Sequence, residues 1–457
     1  MTKKQLSVLL VVSVTSFMGT FLISSINIAL PAIEKTFQLD AIGLSWIITS
    51  FILASAMLLL PVGKWGDVAG NAKLFKIGLI IFTLSSLLCA LAPNAVWLII
   101  ARFLQGIGSA FSNTTGSAIL VSGFPPKNRG KVLGISVASV YSGLALGPLI
   151  GGIVTQQISW KSLFWIAVVL GVAATLIAFV FLEKDAVNTE KKRVSDFRGT
   201  IIFMLGLPSL VYGSSLIPSF AGWTLMLGGV GLLIVFWLVE NRTENPMFDT
   251  RLFTQNKLFG YSNIAALINY TATFAIVFFL SLYLQKIEGL TPQKAGAIII
   301  AQPVMMAVFS PIVGKLSDRI QPRYFATLGM AMCSAGLVGL ALLTPETPLW
   351  LIVAILLWMG LGFALFSSPN MSTIMGSVDR SRYGQASGTA ASMRVFGQIV
   401  SMTIVTLFFA SMFNGQGVDA VSDDVFLKAM KWGFATFALI NVVGIYFSFT
   451  RGNVERR

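Results

Sequence analysis

Fourteen long apolar runs, each closed by a short polar or charged stretch, account for almost the whole chain. They fall near residues 6–32, 43–62, 74–92, 95–122, 131–158, 162–182, 200–217, 222–239, 258–285, 293–313, 324–343, 349–375, 384–412 and 432–450. A bilayer core of about 30 Å takes about 20 apolar helical residues to cross, so each run predicts one membrane-spanning helix. The expected class is an all-α membrane protein with fourteen spans. The first run continues into Asn27-Ile28-Ala29-Leu30-Pro31 without a small-x-small cleavage pattern, and reads as a span rather than a removable leader.

Composition supports that class and excludes several others. The 457 residues are 55% hydrophobic and 11% charged, with a mean hydropathy of +0.82, far from soluble averages. Histidine is absent, and the two cysteines, Cys89 and Cys333, lie inside predicted spans without metal-ligand or disulfide spacing, so they read as packing residues. No metal site is expected. The net charge of +14 comes from Lys and Arg scattered over many short loops, which argues against nucleic-acid binding. With both termini in the cytoplasm, 24 of the 32 Lys and Arg fall on cytoplasmic segments. Short cytoplasmic loops retain cations, so the predicted location is the cytoplasmic (inner) membrane, multi-pass, with Lys184 to Arg193 inside and the acidic loop at Asn414 to Asp424 outside.

The chain also repeats itself. Gly63-Lys64-Trp65-Gly66-Asp67 returns as Gly314-Lys315-Leu316-Ser317-Asp318, and Gly106-x-Gly108, Gly130, Gly134 and Gly143 return as Gly360-x-Gly362, Gly384, Gly388 and Gly397. Two parallel six-span halves follow, 1–190 and 255–457, separated by 191–254 with two additional spans. Such repeats suit a carrier whose halves rock about a site near the bilayer midplane.

Three local motifs carry the functional reading. The loop Gly63-Lys64-Trp65-Gly66-Asp67-Val68-Ala69-Gly70-Asn71-Ala72-Lys73 combines glycines for a tight turn with Asp67, which can accept from helix N-termini or a basic partner and latch two halves together. Asp318 and Arg319 occupy the matching positions of the second half. Span four contains Arg102 and Gln105 in Ala101-Arg102-Phe103-Leu104-Gln105-Gly106, and an intramembrane arginine is costly enough to be a functional candidate by default. In span five, Gly143, Gly147, Pro148, Gly151 and Gly152 form Gly-x-x-x-Gly-Pro-x-x-Gly-Gly. Glycines four apart let helix backbones meet, while Pro148 removes a ladder hydrogen bond.

Together with Trp160-x-x-x-Phe164 and Tyr283-Leu284-Gln285, these motifs resemble the fourteen-span drug:proton antiporter branch of the major facilitator superfamily, and the resemblance covers nearly the whole chain. It implies the major facilitator fold: two six-helix bundles plus two central helices. It also implies export of amphipathic small molecules by alternating access, driven by the proton gradient, with no cofactor, no enzymatic chemistry and a monomeric state. Two departures stand out. Leu22 occupies the position where many relatives carry a span-one acid, and Asn71-Ala72 replaces the usual basic pair, leaving Lys73 alone.

No carboxylate falls in the middle of a predicted span, whereas Arg102 in span four and Arg394 in span thirteen do. That balance favours anionic or zwitterionic amphiphiles, and it keeps open a dedicated exporter of one anionic metabolite or lipid with atypical proton coupling or none. Polar neutral candidates for the cavity are Asn27, Asn113, Tyr141, Asn269 and Gln302.

Overall fold

The computed structural model describes residues 3–182, 196–244, 246–317, 319–379 and 382–453; the side chains of Lys4, Asp67, residues 126–131 and Leu133 are outside the description. The expected cytoplasmic linker at Lys184 to Arg193 and the repeat-motif residue Asp318 therefore lie outside the described residues.

The described chain is helical throughout, with no strand. The first half contains α1 (Lys3–Phe37), α2 (Ala41–Ala69), α3 (Asn71–Ala90), α4 (Ala95–Gly123), α5 (Pro126–Gln157) and α6 (Lys161–Phe181). The central pair is α7 (Phe197–Ser215) and α8 (Phe220–Arg242), followed by a short helix, α9 (Thr250–Gln255). The second half contains α10 (Lys257–Thr273), α11 (Ala275–Lys286), α12 (Pro292–Ile299), α13 (Ala301–Ser317), α14 (Pro322–Ala341), α15 (Leu349–Gly376), α16 (Tyr383–Met412) and α17 (Asp423–Thr450). Thirteen segments are long and apolar enough to cross a membrane, with α10–α11 and α12–α13 each acting as one. The fourteenth span is the 19-residue α7, whose Arg198, Pro208 and Ser214-Ser215 dilute its apolar content.

Two interruptions divide runs that the hydrophobic pattern reads as continuous. Pro303 has no N–H to give to Ile299, so the helix breaks there and restarts at Ala301. At Phe274 the second break is bridged from outside the helix, where the Ala275 N–H donates to Ser401 Oγ at 3.2 Å. Polar side chains start the helices: Asp40 Oδ1 accepts from the Gly43 N–H at 2.7 Å and Asn94 Oδ1 from the Trp97 N–H at 2.9 Å. Each satisfies one of the orphan donors of a first helical turn.

The helix ends near residues 38–40 define one side of the molecule, the Asp40 face; the opposite side, where α2 passes to α3, is the Gly70 face. Gly70 joins those helices at φ 94°, a conformation that side chains with a Cβ rarely adopt. That requirement gives the glycine of the signature loop a structural reason, while Lys73 stands exposed just beyond it.

The internal repeat is visible as paired backbone approaches. A Cβ at Gly106 would strike Phe51 O, and one at Gly360 would lie 2.5 Å from Gln302 O. Likewise Gly143 approaches Phe17 O, with a prospective Cβ at 2.6 Å, and Gly397 approaches Leu267 O at 2.6 Å. Thus α4 meets α2 as α15 meets α13, and α5 meets α1 as α16 meets α10. Of the central pair, α7 packs on α2 and α16 and carries α8 on its other side, with Trp46 against Tyr212 and Phe396 against Phe203.

Candidate functional site: a seam at one face and a polar centre

The two halves join along a seam near the Asp40 face. Ser281 Oγ donates to Asn27 O at 2.6 Å, Gln285 Nε2 to Ile28 O at 3.0 Å and the Ala41 N–H to Gln416 O at 3.1 Å. Ser45 and Thr406 share a hydroxyl hydrogen bond of 3.0 Å. The Asp419 N–H donates to Glu34 Oε1 at 2.8 Å, and Lys35 pairs with Asp419 at 3.6 Å. That ion pair is exposed and contributes little. The hydrogen bonds described between the halves lie at this face, whereas toward the Gly70 face Gly134 of α5 and Gly384 and Gly388 of α16 have open space at their Cβ positions.

The glycine-proline motif of α5 serves two contacts. Gly143, Gly147 and Gly151 face α1 within the same half: a Cβ at Gly147 would lie 2.6 Å from Ser24 Cβ, and one at Gly151 would lie 2.7 Å from Ser25 Cβ. Thr20 and Ser24 add hydroxyl bonds to Val140 O and Leu144 O at 3.0 and 3.1 Å. Gly152 faces the other half, where a Cβ would strike Pro292 O on α12. Gly296 of α12 returns the contact, since a Cβ there would strike Pro148 O. This reciprocal approach of two backbones closes the seam. Gly63, by contrast, is loosely packed, its nearest neighbour being Thr114 Cγ2 at 3.7 Å.

The two intramembrane arginines occupy different surroundings. Arg102 is fully buried: Nε donates to Ile47 O at 3.1 Å, Nη1 donates to Gln105 Oε1 at 2.5 Å, and the guanidinium lies 4.4 Å from the Phe51 ring centre. Gln105 passes the network on to Ser86 Oγ at 2.6 Å. Only Nη2 is left without a partner, and the group ties α4 to α2 and α3. Arg394 is half-buried on α16, with no hydrogen bond or ion pair among the described residues.

Of the other sequence candidates, Tyr141 joins Arg394 in the centre. Its ring packs on Met306, Cys333 and Phe363 beside Tyr270, and the Tyr270 phenol lies within electrostatic reach of both the Tyr141 phenol and the Arg394 guanidinium. Asn269, next to Tyr270, is fully buried with both amide atoms unpartnered, and Gln302 is buried on α13. Asn113 is exposed, its Nδ2 bonded only to Ser109 Oγ at 3.0 Å. Asn27 belongs to the seam instead, where its Nδ2 donates to Ile23 O in its own helix. Tyr270, the polar neighbour of Asn269 in span nine, lies where α10 meets α16, a Cβ at Gly397 falling 2.8 Å from Tyr270 Cβ. Asp67 and Asp318 cannot be added to the site from the described side chains, and Arg319 has a partner of its own.

A bundle with paired halves, a seam at one face and polar groups between them defines a membrane carrier. The Major Facilitator Superfamily model matches residues 9–402, and the chain belongs to that family. It is 32% identical over 414 residues to the riboflavin transporter RibZ of Clostridioides difficile (strain 630), covering 90% of this chain and 89% of the relative. It is 28% identical over 424 residues to the methylenomycin A resistance protein of Bacillus subtilis (strain 168), covering 90% of each. Similarity to the multidrug resistance protein Stp of Mycobacterium tuberculosis is 29% over 424 residues, 91% of this chain and 78% of Stp. Among solved structures, an inward-facing, unoccupied bacterial homologue of the lysosomal transporter Spinster superposes with a TM-score of 0.69 at 15% identity, covering 99% and 97% of the two chains. A D-xylose-proton symporter gives 0.67 at 12% identity, covering 98% of each. Both structures share the fold.

Proposed function

We propose that this chain is a secondary active exporter of amphipathic small molecules across the cytoplasmic membrane, operating as a monomer by alternating access and drawing on the proton gradient. Residues 1–190 and 255–457 are the two moving bodies, with 191–254 between them. The Asp40 face is external and both termini are cytoplasmic, as the distribution of Lys and Arg requires. The observation that carries the reading is the one-sided seam: the halves touch closely where Gly152 meets Pro292 and Gly296 meets Pro148, while Gly134, Gly384 and Gly388 toward the Gly70 face have open space at their Cβ positions. Relatives named for riboflavin transport and for drug resistance support an amphipathic small-molecule substrate.

Proton coupling has few places to reside. Among the described residues the buried carboxylates are Glu34 and Glu240, both at helix ends. Glu34 sits in the seam, where opening the external face would break its bond from the Asp419 N–H. The export reading is tested in inverted membrane vesicles with an inside-acid gradient, using riboflavin and ethidium as probes. Gradient-dependent accumulation of at least one probe, lost when an uncoupler collapses the gradient, is expected; no flux of either beyond that of empty-vector vesicles would contradict it.

Orientation has its own check. Single cysteines at Ser422 on the Asp40 face and at Lys73 on the Gly70 face, in a background with Cys89 and Cys333 changed to serine, are expected to react oppositely with an impermeant thiol reagent. Ser422→Cys should label in intact cells and Lys73→Cys only in inverted vesicles. The reverse pattern would turn the carrier over.

A further inference from the structure

We infer that Arg394, Tyr141 and Tyr270 form the recognition site for one anionic group carried on an aromatic amphiphile, and that the bound anion bridges the two halves. This assignment deepens the exporter reading and rests on it. Arg394 lies 11 residues into α16, about 16 Å of helix from its Tyr383 start, which is farther than an extended arginine side chain reaches. Its guanidinium therefore stays near the centre rather than escaping to the Gly70 face.

An arginine presents five N–H donors in a planar fork and holds its charge at any physiological pH. Those of Arg394 are unmatched by protein groups among the described residues, whereas Arg102 spends its donors on Ile47 O and Gln105. No described carboxylate stands close enough to pair with Arg394. A half-buried intramembrane cation without a counter-ion points to a ligand or a pathway, and a carboxylate or sulfonate would match the fork in two parallel bonds.

The neighbouring groups complete the site. Tyr141 lies on α5 and Arg394 on α16, helices related by the internal repeat, in which Arg394 takes the place of Val140. One anion between them thus touches both halves. The Tyr141 and Tyr270 phenols can each donate to the same anion. Beneath them the partly exposed Tyr270 ring stands edge to face on the buried Phe363, ring centres 5.5 Å apart, with Met306 buried in the same cluster. That floor suits a flat aromatic body, through ring-edge and sulfur contacts.

The test is equilibrium dialysis on purified protein in nanodiscs, empty nanodiscs subtracted, with anilinonaphthalene sulfonate as aromatic anion, ethidium as aromatic cation and decanoate as non-aromatic anion. The aromatic anion should bind at least tenfold tighter than either of the others. Arg394→Gln should weaken it at least tenfold without weakening ethidium, Arg394→Lys should fall between, and Tyr141→Phe should cost several-fold while the melting temperature stays at the wild-type value. Equal binding of the sulfonate by wild type and Arg394→Gln, or a wild-type preference for ethidium, would overturn the assignment. Decanoate binding as tightly as the sulfonate would remove the aromatic part of it. Vesicle uptake separates the two readings. Transport of ethidium without sulfonate binding leaves an exporter and sinks the anion site; Arg394-dependent sulfonate binding without flux of any probe upholds the site and sinks the exporter.

Discussion

Gly152→Leu is expected to reduce transport by tenfold or more while the protein still inserts and purifies. The glycine sits where α5 crosses to the other half, and any Cβ there strikes the Pro292 carbonyl. Backbone cannot rotate away as a side chain can, so the seam must part to admit a leucine. Overpacking of this kind costs about 1–3 kcal/mol. Only the state with the Asp40 face closed bears that cost, and about 1.4 kcal/mol already shifts a two-state population tenfold. Gly296→Leu, which meets Pro148 O from the opposite side, should give the same phenotype. Gly147→Leu acts elsewhere, since its neighbours are Ser24 and Phe21 of α1 in the same half, and it should lower melting temperature as well as transport. Vesicle uptake alongside thermal melting of the purified variants distinguishes them. Unimpaired uptake by Gly152→Leu would mean that the seam does not close tightly during the cycle.

Arg102→Met should destabilise the protein more than any change at Arg394. It leaves Gln105 Oε1 without its donor and Ile47 O with only its helical bond in a fully buried site, and removes the cation over the Phe51 ring. Each orphaned buried polar group costs about 1–3 kcal/mol, so a melting temperature several degrees below wild type is expected, with transport of anionic and cationic probes reduced together. Arg394→Gln should do the opposite, keeping the melting temperature and changing the probe preference. A stable Arg102→Met variant with an altered probe preference would move the binding role from α16 to α4.

Much of this arrangement is legible along the chain because membrane helices declare themselves by apolar length and by the cations that close them. Fourteen spans, the six-plus-two-plus-six plan and the glycine repeat all rest on local patterns. The broken spans are less legible: Pro303 is visible, but the break at Phe274 is stabilised by Ser401, more than a hundred residues away, and no local pattern contains that contact. Arg102 and Arg394 look alike in sequence, each a lone cation in an apolar run. What separates them is that Gln105, Ile47 and Phe51 converge on the first, whereas no described hydrogen bond or ion pair holds the second. Asn27 similarly reads as a cavity residue, yet its carbonyl is part of the seam because Ser281 comes from the other half to meet it. Function in a two-bodied carrier lies in contacts between repeats, and these are the contacts that one-dimensional patterns carry least.

Alternating access is tested most directly by locking the seam. Ser45 and Thr406 approach with hydroxyl oxygens 3.0 Å apart across the halves, and cysteines in their places fall within reach of a disulfide. In a background with Cys89 and Cys333 changed to serine, oxidised Ser45→Cys/Thr406→Cys protein should cross-link readily, lose vesicle uptake of every probe at least tenfold, and regain it on reduction. Fully cross-linked protein that still accumulates its probe at the wild-type rate would contradict the account.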